Sequence, residues 1–336
     1  MSRSCLGRRA RPPLWRNKAV ARLKILSEIR GVLSGLALVA LVLLVVISVN
    51  LGLPGQELVN SLRFHIGILV LLLALTMILA GARLRGALVL VLVGISLGQG
   101  AFIVIEQQAR RDTLEASAPV ASFKLLSFNV LGSNPTGADA AQYIIDSGAD
   151  VVVVMEARGI GAQLPELDAR YPYRIGCEPG GDCDLAILSR WPFLSSKQEM
   201  LRALSRQRLT QVSVMVGEDH PVTVVAAHLT KPYFDDTVLY DIEQVRHALG
   251  QVEGPLVLAG DFNAAAWSSQ ISEFATAANL IPPPRYPGTW PVELGPLGVP
   301  IDNMFSRGTA LIRTIDPTPQ AFGSNHLGLM ATVDLY

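Results

Sequence analysis

The sequence predicts an α/β domain of buried sheets covered by helices, preceded by three membrane-spanning helices. Three observations predict it. Residues 31–53, 64–82 and 86–105 are uncharged runs of 23, 19 and 20 positions, each long enough to cross a hydrocarbon core about 30 Å thick. Beyond them, short apolar runs alternate with turn residues and helix-like stretches, in the mixed order of an α/β protein. One of those runs, 151–154, is solid valine, as expected of a strand buried on both faces.

The elements follow in order. Residues 1–30 form a basic tail with nine lysines and arginines (Arg3, Arg8, Arg9, Arg11, Arg16, Lys18, Arg22, Lys24, Arg30), against Arg63 in the first connection and Arg83 and Arg85 in the second. That bias predicts a cytoplasmic N-terminus. Three crossings then place everything after about residue 106 in the periplasm or outside the cell. Buried core helices are a poor alternative, because successive uncharged runs leave no polar face for water. A cleaved signal peptide explains only the first run, and the long basic lead does not resemble one. Gly31 with Gly35, and Gly94 with Gly98, have the small-residue spacing that lets membrane helices approach closely,.

Residues 106–122 read as a linker, polar and then small and proline-containing. The remainder, 123–336, has strand candidates at 123–128, 150–155, 185–189, 211–216, 222–227, 256–259, 301–305 and 329–335, and helix candidates at 138–147, 236–249 and 268–278,. It is long enough for one substantial core. From residue 116 onward, 14 lysines and arginines face 23 acids, a net charge of about −9. An acidic domain is a poor general binder of polyanions, so long nucleic acid is disfavoured as a partner. Cys177 and Cys183 flank a turn-rich loop and face an oxidising compartment if the topology holds, which predicts a disulfide. A metal pair is the weaker alternative, since no further cysteine or histidine lies at ligand spacing.

The chemistry gathers at strand ends. Asp261 and Asn263 follow the apolar run 255–259 two positions apart, so in extended chain both side chains point the same way. Asn129, Glu156, His228 and Asp302 end or begin other apolar runs, and His326 precedes the last one. Singly, each is an ordinary turn or capping residue. Together they form an oxygen-rich set suited to Mg²⁺ or Mn²⁺.

In order and spacing, Ser127-Phe128-Asn129, Met155-Glu156, Ala186-Ile187-Leu188-Ser189-Arg190, His228-Leu229, Gly260-Asp261-Phe262-Asn263, Ile301-Asp302 and Ser324-Asn325-His326 resemble the endonuclease/exonuclease/phosphatase superfamily, in its bacterial membrane-anchored branch. The resemblance implies a four-layer α/β sandwich, two mainly antiparallel sheets between helices. It also implies a phosphoesterase acting on a phosphodiester or phosphomonoester. In that pattern Glu156 is the principal Mg²⁺ ligand, and Asn129 supports the metal shell. Asp261 orients and deprotonates water, Asn263 holds a phosphate oxygen, His326 is oriented by Asp302 against the phosphate, and His228 adds a donor.

Two positions depart from the family pattern: Asn325 stands where Asp is usual, removing a charge and a possible ligand, and Asn303 stands where His or an aromatic is common. Two other functions stay open beside the phosphoesterase. One is a nuclease, against which the acidic charge counts. The other is a non-catalytic domain that binds a phosphorylated ligand, for which Asn325 is the motivating feature.

Overall fold

The computed structural model describes residues 14–111, 118–232 and 237–336. The start of the basic tail with Cys5, linker residues 112–117 and Asp236 lie outside the described residues. The chain divides into two compact units, one from residues up to Val49 with Phe64–Gly98, the other from Asn50–Arg63 with Gln99–Tyr336.

The first unit is helical. Helix α1 runs Leu14–Ser48, α3 Arg63–Leu79 and α4 Arg83–Ala109. Two segments, Lys24–Ser48 and Arg83–Ala109, are long and apolar enough to cross a membrane, whereas α3 has 17 residues. The first helix ends at Ser48, short of the expected 53, because Gly52 and Gly55 adopt positive φ and Pro54 intervenes,. The helices pack through Ala37, Ala40, Leu44, Val70, Ala74, Met77 and Val93. The expected glycine pairs do not mediate this contact: an added Cβ at Gly31, Gly35, Gly94 or Gly98 meets nothing within 4 Å. Close approach occurs at Gly67, against Leu97, and at Gly86, where an added Cβ would lie 2.9 Å from the Ala74 carbonyl oxygen.

The second unit carries two mixed sheets. The first has the order β10-β11-β1-β2-β4-β3, with β1 Ala121–Asn129, β2 Val151–Met155, β3 Tyr173–Ile175, β4 Leu185–Ser189, β10 Ala310–Pro317 and β11 Leu329–Leu335. The second has the order β5-β6-β7-β8-β9, with β5 Phe193–Leu201, β6 Arg206–Val216, β7 His220–His228, β8 Leu256–Asp261 and β9 Asp302–Arg307. Each sheet is antiparallel except for one parallel pair, β1 with β2 and β7 with β8. Leu125, Val151, Val153 and Ile187 of the first sheet meet Val212, Val224, Val257 and Met304 of the second in one core. The alternate residues face outward onto helices. Val152 and Val154 pack with α5 (Gly137–Asp146) and α6 (Leu164–Arg170), while Val225 and Leu258 pack with α7 (Thr237–Gly250) and α8 (Ser269–Ala277). The result is helix, sheet, sheet, helix: an α/β sandwich in which the valine run is buried on both sides by its period of two.

Two stretches expected to be loose are docked. Helix α4 continues to Ala109, so the first linker residues are helical. Gln107 is buried, donating to the Ala266 carbonyl and accepting from Tyr286 Oη, and Arg111 donates to Pro282 and Ile312 carbonyls. The connection Asn50–Arg63 contains a short helix, α2 (Gln56–Ser61). Ser61 Oγ accepts from Ala265 N–H, Trp267 Nε1 donates to the Ser61 carbonyl, and Glu57 accepts from Gln270 N–H in the first turn of α8. A carboxylate there satisfies an otherwise unpaired helix donor and complements the helix dipole.

Gly260 of β8 pairs with Ala227 of β7 and has φ +153°, and a Cβ there would collide with the Ala227 carbonyl oxygen. Gly260→Ala is expected to cost more than about 2 kcal/mol, measured as a lower thermal unfolding midpoint of the full chain; an unchanged midpoint would contradict this strand packing.

Candidate active site

Strand register assembles the site. In the parallel pair β1/β2, Asn129 lies beside Met155, so Glu156 emerges at the same end. In β7/β8, His228 lies beside Asp261, and across the antiparallel pair β8/β9, Asp261 lies beside Asp302. Three chemically active side chains therefore share one row of the second sheet. His326 comes from the loop before β11, where Ser324 Oγ donates to the Asn129 carbonyl and accepts from His326 N–H.

Asn129 joins the two sheets. Its Oδ1 accepts from Leu131 N–H at 3.1 Å, which turns its Nδ2 toward Asp261 Oδ2 at 3.0 Å and Glu156 Oε1 at 3.3 Å. Glu156 Oε2 accepts from Gly132 N–H at 2.7 Å. Glu156 and Asn263 both adopt the left-handed conformation, with φ of 51° at each. Such strain costs about 1–3 kcal/mol per residue and collects at functional sites. The Asn263 N–H caps Asp261 Oδ1 at 2.8 Å, and one Nδ2 hydrogen goes to the Leu229 carbonyl.

Asp261 is flanked by two imidazoles, each backed by its own carboxylate. His326 Nδ1 is 2.8 Å from Asp302 Oδ2 and its Nε2 is 3.8 Å from Asp261 Oδ2. His228 Nδ1 is 2.6 Å from Asp184 Oδ1 and its Nε2 is 3.9 Å from Asp261 Oδ2. All five residues are buried. Burial opposes a charge on His326, but the carboxylates of Asp302 and Asp261 outweigh it and push its pKa up to about 9. Asp302 is raised as well, by burial and by Asp261, against the pull of His326. Both directions favour a proton held between the two. At Asp184 burial favours the neutral acid, yet the His228 hydrogen bond and Arg208 hold its carboxyl well below the usual range.

All the residues expected from the sequence, Asn129, Glu156, His228, Asp261, Asn263, Asp302 and His326, come together here. Two participants were not anticipated. Asp184 directly precedes β4 in an acid-rich loop that resembles an ordinary turn, and only its adjacency to a strand end could have singled it out. Thr289 is buried and its Oγ1 accepts from Asp302 N–H at 3.3 Å, within the Gly288–Trp290 stretch. Asn325 is exposed, and Asn303 donates to the Ala264 and Ile301 carbonyls, tying the loop after Asn263 to β9. Cys177 and Cys183 are bridged. The Cys183 and Asp184 carbonyls accept the N–H groups of Arg158 and Ala157, so the bridged loop is fastened to the segment that follows Glu156.

The donor set fits a hard divalent cation. Two places could hold one: Asp261, Asp302 and His326, whose ligand atoms lie within 4.8 Å of one another but of which Asp302 and His326 already pair with each other, and the Glu156 carboxylate, which contacts only the Asn129 amide and the Gly132 N–H. Glu156 and Asp261 share the single amide of Asn129 as a go-between, and no described thiol joins them.

A model of the endonuclease/exonuclease/phosphatase family matches residues 126–326. The chain belongs to that family. Its members hydrolyse phosphoester bonds and are typically metal-dependent. Among solved structures the fold resembles an endonuclease/exonuclease/phosphatase protein from Beutenbergia cavernae DSM 12333, at 20% identity and TM-score 0.52 over 64% of this chain and 72% of that one. It also resembles one from Bacteroides vulgatus, at 17% identity and TM-score 0.53 over 64% of this chain and all of that one. No curated protein matches the sequence significantly.

The raised pKa of His326 makes stability pH-dependent. A group whose pKa rises on folding stabilises fully below its unfolded value, near 6.5, and loses that contribution as pH rises through about 9,. In metal-free protein the stability advantage of wild type over His326→Gln is expected to shrink across this window. Parallel unfolding curves for the two proteins from pH 6 to 9.5 would count against the Asp302–His326 pair.

Proposed function

We propose that this protein is a membrane-anchored, metal-dependent phosphoesterase whose catalytic region faces the periplasm or cell exterior. The observation that carries it is Asp261 set between two carboxylate-held imidazoles, beside Glu156 and Asn129 at the edge of both sheets. Glu156 would hold Mg²⁺ or Mn²⁺, with Asn129 fixing its carboxylate; the bound cation would supply charge neutralisation for the phosphoryl oxygens. Asp261, held by the Asn263 N–H and by Asn129, orients a water and takes its proton. His326, protonated near neutrality and fixed by Asp302, donates from Nε2 to a phosphoryl oxygen as negative charge builds there. His228, fixed by Asp184, presents a second Nε2 to the same region, and the remaining Asn263 N–H serves another oxygen. Because the carboxylates grip Nδ1 of both rings, each Nε2 faces the reaction, and little reorganisation is needed on reaching the transition state.

The proposed organisation is a cytoplasmic tail of 1–30, three crossings of the cell membrane within 31–105, and a catalytic domain of 123–336. Helix α3, about 25 Å long at 1.5 Å per residue, lies at the short end of membrane-spanning lengths. Two features support the sidedness. Asn50–Arg63 and the region after Gln99 share one compact unit, in keeping with a first connection and a catalytic region on the same side, as three crossings provide. The Cys177–Cys183 bridge suits an oxidising compartment.

Purified full-length protein is expected to hydrolyse bis(p-nitrophenyl) phosphate with added Mg²⁺ or Mn²⁺ and to stop on chelation. Asp261→Ala and His326→Ala should each lower kcat by about 10²–10⁴-fold, and Asp184→Asn by less. A protein that binds neither ion, and that these changes leave unaltered, would overturn the assignment; metal and phosphate-ester binding without turnover would indicate a binding domain. Peptide maps of protein taken from membranes, reduced and unreduced, should show 177 and 183 joined, and free thiols at both would sink the sidedness argued from them.

A further inference from the structure

A cavity of about 190 Å³ adjoins the catalytic cluster, lined by Gly132, Glu156, Arg158, Asp184, Arg206 and Arg208. Its three guanidinium groups come from two places. Arg158 lies in the turn that follows β2, two residues after Glu156, while Arg206 and Arg208 are alternate residues of β6 and so point to one face,. Three carboxylates share this wall, Glu156, Asp182 and Asp184, but only Asp184 lies within ion-pair distance of these guanidinium groups. Arg206 Nη1 and Arg208 Nη2 converge on the same oxygen, Asp184 Oδ2, at 3.2 and 2.8 Å, while the other oxygen of Asp184 is taken by His228. Arg208 Nε is buried with no hydrogen-bond partner. Arg158 is exposed and has no carboxylate partner among the described residues. Asp182, the remaining acid on the wall, accepts from the Gln207 N–H at 3.2 Å.

Each guanidinium offers five N–H donors in a planar fork that matches carboxylate and phosphate oxygens. Three forks around a small cavity, with one oxygen of Asp184 as the carboxylate atom in ion-pair contact with them, leave a surplus of N–H donors over acceptors in contact. Resting on the phosphoesterase function proposed above, we propose that this cavity receives a second phosphate group on the substrate. The preferred substrate is then a phosphoester carrying a further phosphate monoester, and Arg158 determines specificity without touching the reacting atoms.

The dinucleotide TpT and its 5′-phosphorylated form pTpT share one scissile diester and differ by one phosphate. Full-length protein with Mg²⁺ is expected to show a KM about tenfold lower for pTpT, a size typical of one or two charge-assisted hydrogen bonds. Arg158→Ala should bring the two KM values within about twofold and leave kcat on TpT unchanged. Inorganic phosphate, the probe for a free ion, should compete with pTpT and spare TpT; equal competition against both would place phosphate at the scissile position and count against the cavity. Equal KM values in wild type, or a preference for pTpT that survives Arg158→Ala, would overturn the proposal while leaving hydrolysis itself intact. Calorimetric binding of the two dinucleotides covers the opposite case. Tighter, Arg158-dependent binding of pTpT without cleavage of either would refute the phosphoesterase assignment and uphold the anion site.

Discussion

The hydrogen bond from Asn129 to Asp261 is the contact on which the site depends. It is the point where the end of β1, in the first sheet, reaches the end of β8, in the second. Two sheets packed face to face are held by non-directional apolar contact, which fixes their spacing better than their relative sliding. A buried amide between two carboxylates adds direction. A shift between the layers would take the shared donor from half-buried Glu156 and leave buried Asp261 Oδ2 without it, and a buried carboxylate oxygen that loses its donor is costly.

The rest of the geometry follows from pairing. In a parallel pair, neighbouring strands end at the same edge, so the single parallel pair in each sheet brings His228 and Asp261 together in one layer and Asn129 and Glu156 in the other. The antiparallel partner β9 begins where β8 ends and therefore contributes Asp302 from its first residue. A polar residue needs only to stand at the correct end of its strand to join the cluster. The two left-handed residues, Glu156 and Asn263, lie where the chain must leave a strand abruptly while keeping its side chain at that edge.

Much of this was legible in the sequence for a physical reason. Strands buried on both faces advertise themselves as apolar runs, as 185–189 does for β4, and 329–335 matches β11 end to end although Thr332 and Asp334 interrupt it. Strand β5 was invisible because it is an edge strand of mostly exposed Ser, Lys, Gln and Glu, whose composition is that of a loop. Asp184 was missed because an acid in a loop with Cys183 and Asp182 looks like turn chemistry until tertiary structure delivers His228 to it. The small-residue spacing in the spans misled because glycines mark close approach only on the face that meets a neighbour, and Gly67 and Gly86 occupy that face here. Segment 50–63 looked like a plain connection, since its burial depends on residues some two hundred positions away.

That connection alters how the N-terminal helices should be understood. The acceptors for Ala265 N–H, Trp267 Nε1 and Gln270 N–H all come from Glu57 and Ser61, and the segment they serve begins two residues after Asn263. Severing the chain after α4 would strip away these three acceptors together and lay bare the flank of the loop that carries Asn263. The hydrophobic leader is thus also scaffolding, and the natural unit of this molecule begins before the point where the family likeness starts.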